Sequence, residues 1–121
     1  MKIILLIGSG SFVGGVFRYL LSLFFQAKTT TIFPLGTLMI NIIGCFFIGI
    51  VFGIFDKGQM SNEWKLFFAT GLLGGFTTFS AFSNETIILF RDGHTGYVFL
   101  YVLASLFLGL LATYIAYLLV K

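Results

Sequence analysis

Four long apolar stretches, separated by short polar linkers, form the main pattern along this chain. They cover approximately residues 3–25, 34–55, 66–90 and 97–119. A helix needs about 20 apolar residues to cross the ~30 Å hydrocarbon core of a bilayer, and each stretch reaches that length. We therefore predict an all-α integral membrane protein, with four transmembrane helices in a single membrane domain over residues 1–121.

Small and polar residues interrupt the third stretch near its middle. The segment Gly71–Phe82 contains three glycines, two threonines and a serine, where a lipid-facing helix would carry Leu, Ile and Val. Backbone at this depth has no water to bind, so irregular structure persists only when protein or a polar cavity surrounds it. Broken helices of this kind expose carbonyl and amide groups that can hold ions. We predict that the third helix is broken around residues 74–78 and that the protein holds or moves an ion there.

The composition agrees with this class of protein and excludes others. Of the 121 residues, 59% are hydrophobic and 9% are charged, and the mean hydropathy is +1.09. A soluble domain of this size could not bury so much apolar surface. The net charge of +3 is small and gives no reason to expect a nucleic-acid partner.

The basic residues are divided almost evenly between the two sides of the membrane. One side collects Lys2, Lys57, Lys65 and Lys121, and the other collects Lys28 and Arg91. A bias of four against two orients a membrane protein only weakly. Either the amino terminus is cytoplasmic by a small margin, or the chain inserts in both orientations.

Two charged residues lie inside the apolar stretches: Arg18 in the first and Glu85 in the third. A charge within the membrane is costly and marks a functional site unless it reaches the interface or finds a structural partner. Arg18 is interpreted as a positive wall of a vestibule that attracts anions, with snorkelling to the bilayer edge as the alternative. Glu85 is either a proton or cation site or a paired structural carboxylate.

The pair Phe79 and Phe82 suggests a chemistry for part of the aromatic excess, since Phe contributes 17 residues. A spacing of three places both rings on one helix face, just after the predicted break. Aromatic rings have a positive edge, so two edges facing a pore can contact a small anion. The alternative is ordinary core packing, but the neighbouring Ser80, with Asn41 in the second stretch, favours the pore.

Other small or polar residues recur at helical spacing. Thr37 and Asn41 share one face of the second stretch, and Ser105 and Thr113 share one face of the fourth. Such faces either let helices approach closely or line a pore. No serine, cysteine or histidine has a partner at catalytic spacing, so we do not expect an enzyme.

Three motifs resemble the CrcB/Fluc family of small bacterial fluoride channels. They are Gly74-Gly-Phe-Thr-Thr-Phe-Ser-Ala-Phe82, the preceding Gly36-Thr-Leu-Met-Ile-Asn-Ile-Ile-Gly44, and Gly14-Gly-Val-Phe-Arg-Tyr19. The likeness extends over the whole chain in length, number of spans and order of motifs. One departure is Ala81, where relatives often carry Thr, and it leaves the aromatic spacing unchanged.

The resemblance implies an antiparallel, dual-topology homodimer with two fluoride pores and a central structural sodium ion (Na+). Backbone carbonyls of Gly74 and Thr77 from both chains are expected to hold the sodium. The expected pore residues are Phe79, Phe82, Asn41, Ser80, Thr37 and Glu85, with Arg18 at the vestibule and Ser105 and Thr113 as weaker candidates. The protein would then export fluoride passively across the bacterial inner membrane, with fluoride, sodium, lipid and a second copy of the chain as partners.

A small dual-topology multidrug or cation transporter is the main alternative, since such proteins also form four-span antiparallel dimers. They typically place a carboxylate in the first span, where this chain has Arg18. A non-transporting membrane subunit is a third possibility, but it leaves the broken third span unexplained.

Overall fold

The computed structural model describes residues 1–28 and 31–120, and the regular secondary structure within them is entirely helical. The elements are α1 (Lys2–Lys28), α2 (Leu35–Asp56), α3 (Asn62–Lys65), a π-helical segment (Leu66–Leu73), α4 (Gly74–Phe76), α5 (Phe79–Arg91) and α6 (Thr95–Val120). They form four spans long and apolar enough to cross a membrane: Lys2–Lys28, Leu35–Asp56, Asn62–Arg91 and Thr95–Val120. The predicted all-α, four-span architecture is confirmed, while Lys121 of the charge comparison lies outside the described residues.

Short turns with specific end residues separate the last three spans. Gly58 and Gly93, which follow α2 and α5, have φ values of 72° and 83°. This left-handed region favours glycine, because a Cβ atom there approaches the following carbonyl oxygen. Ser61 caps α3, and its hydroxyl accepts a hydrogen bond from the amide of Trp64 at 3.3 Å. Local sequence therefore fixes where these helices end and begin.

α1 packs against the first half of the third span with the two backbones in direct contact. A Cβ atom added at Gly10 would lie 2.6 Å from the carbonyl oxygen of Phe67, and one added at Gly14 would collide with the carbonyl oxygen of Leu72. Helices in membranes approach most closely where small residues face each other. We call this contact the glycine seam, formed by Gly10 and Gly14 of α1 with Gly71 and Gly75 of the third span.

α2 and α6 form a second close pair. A Cβ atom at Gly49 would collide with the carbonyl oxygen of Thr113, and one at Gly53 would lie 3.0 Å from the Cβ of Val120. The Thr113 hydroxyl donates a hydrogen bond of 2.8 Å to the carbonyl of Cys45, which links the two helices. The third span is thus held by α1 on one side, and α6 is held by α2.

The buried interior is small compared with the apolar surface. Leu38, Leu89 and Tyr101 form its core cluster, with Phe33 and Phe82 among the side chains packed against it. Many large apolar side chains of α1 and α6 are exposed instead, including Phe12 at 73% and Phe107 at 69%. Apolar surface of this extent suits contact with lipid or with another chain.

We expect Gly14→Ala to lower stability and Gly15→Ala to leave it unchanged. A methyl group at Gly14 meets the Leu72 carbonyl in the glycine seam, whereas nothing lies within 4 Å of the same position at Gly15. Overpacking of a close contact costs about 1–3 kcal/mol. Thermal unfolding of the detergent-solubilised protein measures the difference, and equal melting temperatures for the two variants would contradict this packing.

Candidate functional site

The third span is interrupted at Thr77 and Thr78, between α4 and α5. Both residues have extended backbone, with φ and ψ of −84° and 158° at Thr77 and of −148° and 121° at Thr78. The Thr78 hydroxyl caps α5 by accepting a hydrogen bond from the amide of Ala81 at 3.1 Å. The helix break expected around residues 74–78 is therefore confirmed.

Asn41 of α2 forms two hydrogen bonds with the backbone at the break. Its Oδ1 accepts from the amide of Thr78 at 2.9 Å, and its Nδ2 donates to the carbonyl of Thr78 at 3.0 Å. In a continuous helix the Thr78 amide would donate to the Gly74 carbonyl, and the Ala81 amide would donate to the Thr77 carbonyl. Because both amides are used elsewhere, the carbonyl oxygens of Gly74 and Thr77 lose their helical donors.

Arg18 of α1 replaces another of the lost helix bonds. Its Nε donates to the carbonyl of Gly75 at 3.1 Å, an oxygen that a continuous helix would pair with the amide of Phe79. The side chain is half-buried and follows Gly14 of the glycine seam by one turn. Its positive charge therefore lies at the carboxyl-terminal end of the first half of the third span, where the helix dipole favours cations.

A groove of about 400 Å³ lies beside the break. α2, α6 and both halves of the third span contribute to its mostly apolar lining. Six of the predicted site residues line it: Asn41, Gly74, Thr77, Phe79, Phe82 and Ser105. Residues from three spans are therefore brought together at the position where the backbone is broken.

The two phenylalanine rings lie next to each other at this groove, as their spacing predicts. The Phe79 and Phe82 ring centroids are 5.6 Å apart with an angle of 46° between the planes. Phe79 is 78% exposed, whereas Phe82 is half-buried and packs on Tyr101 at a centroid distance of 4.9 Å. The Phe82 ring is therefore held by packing in the core, whereas the Phe79 ring is exposed at the groove.

Thr37 and Glu85 face a separate cleft of about 290 Å³. The Thr37 hydroxyl donates to Glu85 Oε1 at 2.6 Å, and both residues are half-buried. The ion pairs within the described residues, Lys2–Glu63 and Arg91–Asp92, do not involve this carboxylate. Glu85 is therefore held by a neutral hydroxyl from α2.

Three of the predicted residues, Arg18, Ser80 and Thr113, line neither the groove nor the second cleft. Ser80 is exposed, with its Oγ 3.2 Å from Thr78 Oγ1. Thr113 faces α2, where its hydroxyl donates to the Cys45 carbonyl. In this arrangement Thr113 joins two helices instead of presenting a free hydroxyl.

Sequence reasoning missed Tyr101, which lies behind the groove. Its side chain is completely buried and packs against the rings of Phe33 and Phe82. A signal for it existed, because Tyr101 precedes Ser105 by four residues and so lies on the same face of α6. Cys45, which also lines the groove, carried the same kind of signal, because it follows Asn41 by four residues on α2.

Comparisons with known proteins all indicate the same family for this chain. The chain matches the family described as CrcB-like protein, Camphor Resistance (CrcB), over residues 5–117. The fluoride-specific ion channel FluC of Flavobacterium psychrophilum is 44% identical over 122 residues, which cover 100% of this chain and 98% of that relative. FluC of Phocaeicola vulgatus is 42% identical over 92% of both chains. FluC of Thermus thermophilus is 43% identical over 93% of this chain and 89% of the relative.

We expect Asn41→Ala to destabilise the protein by about 2–4 kcal/mol, because it removes two hydrogen bonds and leaves the Thr78 amide without a partner. Asn84→Ala, at an exposed asparagine of α5, is the matched control and should have little effect. Thermal unfolding in detergent measures both. An Asn41→Ala variant as stable as Asn84→Ala would show that these bonds do not support the break.

Proposed function

The chain belongs to the CrcB family, and on this premise we propose that it is a fluoride-selective channel through which fluoride leaves the bacterial cell passively. It is a multi-pass protein of the bacterial membrane. One observation carries the proposal: the helix break and the residues around it bring a hydrogen-bond donor and two phenylalanine rings to the same groove. A channel needs no catalytic residues, which agrees with the expectation that the chain is not an enzyme.

The groove has groups that can replace the water around fluoride. A strongly hydrated anion enters a pore only where donors compensate for the lost water. The Asn41 Nδ2 uses one N–H on Thr78 and has a second one. The edges of Phe79 and Phe82 add weak positive contacts that bind an anion loosely enough for it to leave.

A structural sodium ion fits the carbonyl oxygens at the break. Gly74 and Thr77 have lost their helical donors, and Gly74 is exposed at the groove. Unwound backbone carbonyls of broken membrane helices are suitable sodium ligands. When bound, sodium would supply a positive charge that balances these oxygens and favours a nearby anion.

An antiparallel homodimer would complete both the groove and the sodium site. Phe79 and Gly74 are exposed and so can meet a second chain. A two-fold interface uses the same patch on both copies, so it doubles the carbonyl pair and produces two equivalent grooves. The almost even division of basic residues suits a chain that inserts in both orientations.

The remaining polar residues are proposed to line the approaches to the pore. The Thr37 hydroxyl donates a hydrogen bond to Glu85, so these two residues form a hydrogen-bonded pair at the second cleft. Ser105 adds a hydroxyl to the groove. Ser80 is exposed and contacts Thr78, which lines the groove, and Thr113 is a weaker candidate because its hydroxyl is bonded to α2. Arg18 keeps further N–H donors on its Nη atoms, which can attract anions at the vestibule.

We expect Phe79→Ile and Phe82→Ile to reduce fluoride efflux by about tenfold or more, since a loss of ~1.4 kcal/mol at the barrier changes a rate by that factor. Phe12→Ile is the matched control, because Phe12 is an exposed phenylalanine of α1. A fluoride electrode measures efflux from liposomes that contain the purified protein, with chloride as the comparison anion. If both variants conduct like Phe12→Ile, the ring edges do not form the pathway.

We expect a reporter at the amino terminus to be found on both sides of the membrane. The chain has a single cysteine, so Cys45→Ser gives a background in which Lys2→Cys is the sole thiol. A membrane-impermeant maleimide applied to intact spheroplasts should label about half of the Lys2→Cys molecules, because the charge bias is weak. Labelling of all copies, or of none, would exclude dual topology.

A further inference from the structure

We propose that Arg18 is a positioning residue for the sodium site, and not only a source of positive potential for anions. The inference rests on the proposed function, because it concerns the carbonyl oxygens that would hold the cation. Its basis is the hydrogen bond from Arg18 Nε to the Gly75 carbonyl, which joins α1 to the end of α4 at 3.1 Å.

Gly74 and Gly75 need an external restraint. They are consecutive glycines at the end of a helical segment, and glycine has more backbone freedom than any other residue. The Gly74 carbonyl has lost the Thr78 amide as its donor. The carbonyls of Gly74 and Gly75 are separated only by the two backbone dihedral angles of Gly75. Holding the second carbonyl therefore limits the directions that the first can take.

The glycine seam fixes the distance between the Arg18 backbone and the Gly75 carbonyl. A Cβ atom at Gly75 would lie 2.5 Å from the carbonyl oxygen of Ser11, so the backbones touch at this point. The Ser11 hydroxyl also donates to the carbonyl of Gly71 at 3.3 Å. α1 therefore bonds to two carbonyls one turn apart on the third span, first through Ser11 and then through Arg18.

A role in positioning and a role in electrostatics predict different effects on sodium binding. A positive charge repels a nearby cation, so if Arg18 acts only through its field, removing the charge leaves sodium affinity unchanged or makes it higher. If Arg18 positions the carbonyls, removing the donor lowers sodium affinity. Side chains that support metal ligands typically change affinity by about 10–100-fold when they are lost.

Three substitutions separate the donor from the charge. Gln places an N–H donor at the same number of bonds from the backbone as Arg Nε, but it is neutral. Lys keeps the charge and has a carbon at that position, and Met has neither the charge nor the donor. Positioning predicts that Arg18→Gln resembles the parent while Arg18→Lys resembles Arg18→Met. A pure field effect predicts the opposite pairing.

The experiment records the melting temperature of the purified protein against NaCl concentration, with N-methylglucamine chloride holding ionic strength constant. A ligand at free concentration c that binds the folded state stabilises it by RT ln(1 + c/Kd), so the melting temperature starts to rise near the Kd of the site and then climbs logarithmically with NaCl concentration. We expect the sodium Kd obtained from these curves to rise by about tenfold or more in Arg18→Met and Arg18→Lys, and by much less in Arg18→Gln. Arg91→Met, at an exposed arginine paired with Asp92, is the control and should match the parent.

Several results would overturn the inference. If Arg18→Met is too unstable to purify, the comparison of Arg18→Gln with Arg18→Lys decides alone. An Arg18→Lys curve equal to that of the parent, or an Arg18→Gln curve shifted as far as Arg18→Lys, excludes positioning. A parent without NaCl dependence removes the sodium site and the inference together. Fluoride efflux from the same parent sample shows whether the channel function has failed as well.

Discussion

Backbone amides and carbonyls inside a membrane must find hydrogen bonds within the protein, and this requirement governs the third span. A continuous helix meets it without help, but the extended residues Thr77 and Thr78 do not. Three side chains supply the missing bonds: Asn41 binds the Thr78 amide, Thr78 caps α5, and Arg18 binds the Gly75 carbonyl. The break is therefore stabilised by side chains of both neighbouring helices, α1 and α2.

The same requirement explains why glycines are placed where they are. Asn41 and Arg18 reach the broken backbone only because α1 and α2 approach it closely. A Cβ atom at Gly44 of α2 would collide with the side chain of Thr77, just as one at Gly14 would collide with Leu72. Small residues thus set the distance between the helices, and the polar side chains one turn away use that distance.

Within the part of the chain that the structure describes, two backbone carbonyls at the break lack the bonds that a continuous helix would give them. The carbonyls of Gly74 and Thr77 lose their helical donors, and Gly74 is exposed beside the groove that Phe79 and Phe82 border. Oxygens of this kind attract a cation, and a cation beside a groove with donors and ring edges makes that groove more favourable to an anion. The proposed sodium ion, fluoride path and second chain are linked through this one physical relation.

The sequence determined the class, the number of spans and the location of the break. Apolar stretches of membrane-spanning length leave few alternatives, and the glycines and hydroxyl residues of Gly71–Phe82 mark the interruption directly. The order of motifs also indicated the family. These features are local, so they can be read along the chain without knowledge of packing.

The tertiary structure alone decided what each polar side chain contacts. The sequence could not show that Asn41 binds the Thr78 backbone, that Thr37 is bonded to Glu85, or that Thr113 faces Cys45. Spacing placed Tyr101 on the Ser105 face of α6, but its burial depends on Phe82 of the third span and on Phe33 of the linker before α2. The physical reason is that helical spacing fixes which face a residue occupies, whereas its partner depends on how neighbouring helices are rotated and how closely they approach.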